Sequence, residues 1–208
     1  MGKGVQRIET EADVAVGFAR LVEIEPRFAG VAAPLPLRRR PDGFGTLLQA
    51  IVGQQVSTAS AAAIWGRLEA AGLVEAAAVR RAGDADLVAC GLSRTKLRYA
   101  RTLAEFDLDF DALRVLPSED AIAALVAVPG IGRWTAEVYA LSALGHADVF
   151  PAGDLALQEG AKLLLDLPGR PVERDMRTLA DAWSPVRAIA ARALWAYYRM
   201  RTKREGAL

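Results

Sequence analysis

The chain has 208 residues, 52% of them hydrophobic, enough to bury the core of one large domain or two closely packed lobes. A single cysteine (Cys90) and a single histidine (His146) exclude an internal disulfide framework and a four-cysteine zinc or iron–sulfur site, and leave a His-based metal centre or a Ser-His-Asp triad little to draw on. The net charge of +1 points to no partner, no run of 18 apolar residues predicts a membrane span, and the polar start MGKGVQRIETEAD has no apolar signal core, so a soluble cytoplasmic protein is expected.

Taken in order, the predicted elements are helical. Residues 38–40 read RRR, the first of three basic clusters. Over 44–52, Phe44, Leu47, Leu48, Ile51 and Val52 recur at i, i+3, i+4, i+7 and i+8, a full apolar stripe. Ser57 suits the N-cap of an alanine-rich helix over 58–71 that Gly72 ends. Ser93 suits the cap of a basic helix to about 105. Its start, SRTKLRYAR, holds four cations and no acid. Such a patch tracks phosphates in some proteins and is a solvated helix face in others. Ser118, Glu119 and Asp120 suit the first turn of a helix that carries Ile122, Leu125 and Val126 inward. Trp134, Val138 and Leu141 form the next stripe. Residues 147–153 look extended, and helices follow over 154–166, 171–183 and 185–201, with Pro171 and Pro185 in first turns. The third basic cluster, RMRTKR, spans 199–204. No alternating strand pair is found, so an all-α fold in two lobes with a groove between them is expected. Its parts are an N-terminal helical segment (1–42) packed on the C-terminal lobe, a central lobe (43–145), and a segment of C-terminal helices (146–208).

The sharpest local signal is LVAVPGIGRWTAEVYAL, 125–141, where Pro129, Gly130 and Gly132 break two helices. The second helix would point unsatisfied N–H groups and a positive dipole end outward, which suits a phosphate. Gly130 and Gly132 would donate from the main chain, Arg133 begins the helix, and Thr135 adds a hydroxyl. Such contacts hold a nucleic-acid backbone without reading bases. A turn that binds nothing is the alternative.

VPGIGRWTAEVYAL resembles the helix-hairpin-helix motif of base-excision DNA glycosylases, here over about 119–144. DVFPAGDLAL follows at the spacing of that family, LLQAIVGQQVS is similar to its helix and wedge loop, and AWSPVRAIAARALW to its closing helix. The likeness covers about 43–200 and is to the 3-methyladenine DNA glycosylase II branch, in a compact form without the β-rich N-terminal domain common in bacterial members.

The resemblance implies a role for each matching residue. Asp154 becomes the catalytic carboxylate, which stabilises positive charge on the sugar and orients water; from the residues alone an N-cap is the favoured reading, with Asp148 and Asp166 as competitors off the motif position. Trp134 stands where strand-nicking relatives carry a Schiff-base lysine, so base removal without lyase activity is expected. Trp134 would instead face a cationic base, although its periodicity also suits a core residue. Val138, Leu155 and Val186 occupy pocket positions, which makes the pocket less aromatic than the family pattern. Gln55 would fill the gap left by a flipped base and Gln54 brace the loop, with Ser57 beside them; a polar helix end is the alternative. Arg187 would contact phosphate, support Asp154, or form a surface ion pair. The carbonyls of Val126, Val128 and Ile131 would hold a structural Na+ or K+, and no diffusible cofactor is implied.

The expected partner is double-stranded DNA with damaged bases, bound by a nucleoid-associated monomer. The expected reaction is hydrolysis of 3-methyladenine and 7-methylguanine from the sugar. The alternatives are a glycosylase for deaminated or etheno bases and a hairpin module that binds DNA without chemistry.

Overall fold

The stripe over 44–52 seeds the central lobe. Phe44, Leu47, Leu48, Ile51 and Val52 are all buried once that segment winds into a helix, because a 3.6-residue repeat aims them at one side. The computed structural model describes residues 6–202, so Lys203 and Arg204 of the last basic cluster lie outside the described residues. Twelve α-helices run through the described residues: α1 (Glu11–Ile24), α2 (Phe44–Gly53), α3 (Thr58–Ala70), α4 (Ala76–Arg81), α5 (Asp84–Ala89), α6 (Arg94–Glu105), α7 (Phe110–Val115), α8 (Ser118–Val126), α9 (Arg133–Tyr139), α10 (Leu155–Leu164), α11 (Glu173–Asp181) and α12 (Arg187–Thr202). A 3-10 turn, Pro26–Gly30, follows α1, and a π turn, Ala140–Leu144, prolongs α9. Among the described residues the β pairing is one isolated antiparallel bridge, Arg7 with His146.

Several caps fall where the sequence puts them. The Ser57 and Ser93 hydroxyls accept from Ser60 N (3.1 Å) and Lys96 N (3.3 Å), each satisfying a donor that the first helical turn leaves open. Ser118, Glu119 and Asp120 form the first turn of α8 as expected, behind Pro117 at the cap position, and the Ser118 hydroxyl lies 3.2 Å from His146 Nδ1. Other expectations fail. Val126 does not point inward; it is exposed at the end of α8, where the chain turns away from the core. Of Trp134, Val138 and Leu141 only Leu141 is fully buried, because the core side of α9 is Ala136, Tyr139 and Ala140. Pro171 and Pro185 precede their helices instead of starting them. Helices α4, α5 and α7, six residues each, are too short for periodicity to reveal.

The N-terminal segment returns to the C-terminal helices: α1 packs on α12, and α10 and α11 pack there too. α10 crosses α12 so closely that a Cβ on Gly160 would lie 2.8 Å from the Leu194 carbonyl. Trp183, buried, meets the edges of Phe28 and Phe150 at centroid distances of 5.3 and 5.5 Å. Arg192 joins this lobe to the central one. Its guanidinium donates to the carbonyls of Leu37 (3.1 Å), Ala188 (3.1 Å) and Leu141 (3.3 Å). The Leu141 carbonyl lies within the π turn, a local widening that leaves carbonyls open to such partners. Burial, with Arg39 nearby, lowers the Arg192 pKa to about 10.

Candidate active site

Asp154 caps α10 at the end of a connection expected to be extended, which instead bends at 147–148 and turns at 152–153. Its Oδ1 accepts from Ala156 N (2.9 Å), Leu157 N (3.0 Å) and the Trp195 indole N–H (3.2 Å); its Oδ2 accepts from the Trp134 indole N–H (3.1 Å). The residue is 6% exposed. The N-cap reading is therefore the one found, on the side chain to which the resemblance also gives a catalytic role. All four donors are neutral, so the carboxylate is oriented while its charge stays uncompensated by a cation. Trp195 was missed in the sequence. The signal available was an indole on α12, the helix that the small Gly160 draws against α10.

The hairpin lies next to it. Gly130 has a φ of 97°, and a Cβ there would stand 2.5 Å from Tyr99 Cγ, so glycine is required twice over. Gly132 differs: its φ is −83°, and open space lies where a Cβ would go. Its bareness gives access to the N-terminus of α9 instead of relieving strain. Thr135 is 7% exposed and borders the groove. Gln54 Nε2 donates to the Gly130 carbonyl at 2.9 Å, which braces the wedge loop on the hairpin. Gln55 is exposed at the tip of that loop with a φ of 55°, a conformation the brace holds in place. Ser57 stands at the start of α3 as its cap.

A groove of about 680 Å³ opens beside these elements. Trp134 and Val138 line it, as expected. Leu155 and Val186 do not. Leu155 lies in a separate hollow with Glu159, Arg170 and Tyr198, and Val186 is buried in the core after the turn that follows Trp183. The groove is also more aromatic than the motif positions suggest, because Trp65 and Tyr139 line it. The sequence signal for Trp65 was a lone indole on α3, where Ala61 and Ala62 leave room in front of it. Tyr139 is fixed from below: its hydroxyl donates to Asp42 and accepts from Gly43 N at 2.8 Å, while Arg114 holds the other Asp42 oxygen at 2.6 Å. Burial, with Asp42 adding to it, raises the Tyr139 pKa well above that of a free phenol.

Two arginines expected at DNA are committed elsewhere. Arg187 grips Asp148, Nε to Oδ1 at 2.7 Å and Nη2 to Oδ2 at 3.2 Å, and reaches Asp181 at 3.4 Å. It touches neither Asp154 nor open groove; two carboxylates hold it, and the surface ion-pair alternative is the one found. Arg133 pairs with Glu119 (2.7 Å) and Glu137 (2.9 Å). Glu137 is buried, and Arg177 reaches the same oxygen at 2.8 Å. Glu137 Oε2 has no hydrogen-bond partner, and burial holds the carboxyl above its usual pKa despite both guanidiniums. At the hairpin, the Val128 carbonyl accepts from Ile131 N (3.0 Å), while the Val126 and Ile131 carbonyls accept no main-chain bond.

Comparison with known proteins agrees with this geometry. The family model described as "HhH-GPD superfamily base excision DNA repair protein" matches residues 48–186, more than half of the chain. DNA-3-methyladenine glycosylase 1 of Schizosaccharomyces pombe is 28% identical over 187 residues, 86% of this chain and 80% of that protein. The crystal structure of a DNA-3-methyladenine glycosidase from Bacillus halodurans superposes with a TM-score of 0.76 at 29% identity, covering 98% of this chain and 96% of that one. The S. pombe enzyme Mag1 in complex with abasic DNA gives 0.67 at 27% identity, covering 88% and 90%.

Proposed function

Because this chain belongs to the HhH-GPD superfamily of base excision DNA repair proteins, we propose that it is a monofunctional DNA glycosylase that hydrolyses alkylated purines, 3-methyladenine and 7-methylguanine, from duplex DNA. The observation that carries this reading is Asp154, a carboxylate anchored by four neutral N–H donors beside the groove and the hairpin.

Loss of the base builds positive charge on the sugar. An oriented anion with no counter-cation stabilises that charge more than one already paired. Oδ1 is filled by three donors, so Oδ2, with one, is the oxygen with capacity left to face the sugar or align the attacking water. An N-alkylated purine is itself cationic and departs without a general acid. The Trp134 ring lines the groove while its N–H holds Asp154, so one side chain offers a π face to the cationic base and fixes the carboxylate. Gln55 enters the space of the extruded nucleotide. Strand cleavage would need an amine at the sugar. Lys96 is committed to the Val52 carbonyl and Lys162 to Glu159, and the motif position is Trp134. The Val126, Val128 and Ile131 carbonyls would hold a hard monovalent cation, which would supply positive charge at the turn for an anionic ligand. Reduction with borohydride during turnover should leave no covalent protein–DNA product.

The deciding experiment incubates the protein with methylated duplexes and with duplexes holding one hypoxanthine or one ethenoadenine, then reveals abasic sites with alkali. Release from the methylated duplexes is expected. Release only from the other two would move the substrate class, and no release from any would leave a DNA-binding module.

A further inference from the structure

Helix α6 is tied to both of the loops that would grip DNA. Lys96 Nζ donates to the Val52 carbonyl at 2.7 Å, at the end of α2 from which the Gln54–Gln55 loop departs. Tyr99 packs on Gly130 so closely that no side chain fits there, and Gln54 closes the triangle by its bond to the Gly130 carbonyl. The Gln54–Gln55 loop, the hairpin and α6 are therefore joined by direct contacts. The four cations of SRTKLRYAR now separate by role. Lys96 is buried and structural. Arg101 reaches the carbonyls of Val79 and Ala82 and pairs with Asp84. Arg94 and Arg98 remain: both are exposed, and neither has an acidic partner among the described residues.

Their placement is specific. The Arg98 guanidinium carbon lies 5.4 Å from the centroid of the Tyr99 ring, the ring that covers Gly130. Its charge thus stands on the ring that packs against the hairpin glycine. Arg94 lies one helical turn earlier on the same side of α6. The hairpin's own arginine, Arg133, is neutralised by Glu119 and Glu137, so the main-chain clamp has no free cation of its own in the motif. We infer that Arg94 and Arg98 form a phosphate-binding track on α6 that extends the hairpin's grip to neighbouring phosphates of duplex DNA. The track depends on the glycosylase reading only for the identity of its ligand.

The test is equilibrium binding of the whole protein to an undamaged fluorescent duplex from roughly 50 to 300 mM NaCl, where each phosphate contact adds about one to the slope of log K against log salt. Arg94→Gln/Arg98→Gln should lower that slope by about 2, equally on unrelated sequences, with an unchanged melting temperature. Arg98→Lys keeps the charge and should restore its share of the slope. Arg20→Gln, a charge removed from α1, should leave the slope as it is. A double variant with the wild-type slope would overturn the track and leave the glycosylase reading intact. A wild-type protein that binds no duplex at all would overturn the glycosylase reading itself.

Discussion

Two buried carboxylates, Glu137 on α9 and Asp154 bonded to Trp134 of the same helix, are treated in opposite ways. Asp154 accepts four hydrogen bonds, from two backbone amides and two indoles, and touches no cation. Glu137 presents one oxygen to two guanidiniums, and its other oxygen meets nothing. Neutral dipoles orient a charge without cancelling it. Arginines cancel it, and at Glu137 they join α9 to α11. A carboxylate meant to act on a developing cation needs the first arrangement; one meant to hold helices together tolerates the second. Helix α9 serves both: its Trp134 reaches Asp154, and its Glu137 meets Arg133 and Arg177.

The largest expected effect tests the Asp154 half. Asn keeps the shape and still accepts the capping N–H bonds. Asp154→Asn, whose amide nitrogen cannot accept from the Trp134 indole, should stay folded with a slightly lower melting temperature and keep its affinity for duplex DNA, yet lose about 1,000-fold in single-turnover base release, roughly 4 kcal/mol of transition-state stabilisation. A variant within tenfold of wild type would remove Asp154 from the chemistry. Next comes orientation. Trp195→Phe deletes one of three donors on Oδ1, and the expected loss is about tenfold in the chemical step with binding unchanged, since one hydrogen bond to a charged group contributes about 1.5 kcal/mol. An equal loss in affinity would mean that Trp195 shapes the groove instead.

How much of this was legible in the sequence differs between the two carboxylates. Asp154 was visible as a site residue through the resemblance, whose motif spacing from Gly132 it matches, and its cap follows from the residue type at a helix start. The stripe of α2 and the caps at Ser57 and Ser93 were visible for the same reason: periodicity and capping are properties of a few consecutive residues. Glu137 was invisible. Its partners Arg133 and Arg177 are 4 and 40 residues away, and only folding brings them to one oxygen. Trp65, Tyr139 and Trp195 reach the groove or Asp154 through helix packing that no motif records. Arg187 went astray in reverse: its place in a motif suggested DNA, but Asp148, 39 residues distant, was already its partner. Val186 failed likewise, because a pocket position assigned by motif does not say which way the side chain faces.

The smallest effect probes the Glu137 half most closely. Burial raises its pKa above the ordinary value of 4.5, against the pull of Arg177 and Arg133. Folding then favours the protonated form, so the contribution of Glu137 to stability is full below 4.5 and is lost as pH rises through the raised folded value. Glu137→Gln cannot titrate. The stability gap between wild type and this variant, measured by urea unfolding, should therefore be widest near pH 4.5 and shrink toward neutrality, by about 1 kcal/mol or less. His146, whose pKa burial lowers, destabilises both proteins as pH falls below 6.5 and cancels in the difference. A gap that widens with pH would mean that Arg133 and Arg177 outweigh burial, which makes Glu137 an ion pair whose charge stabilises the fold. Base release by Glu137→Gln should stay within a few-fold of wild type at every pH. A deep loss there would break the contrast, since the carboxylate that the arginines neutralise would then be acting on the reaction as well.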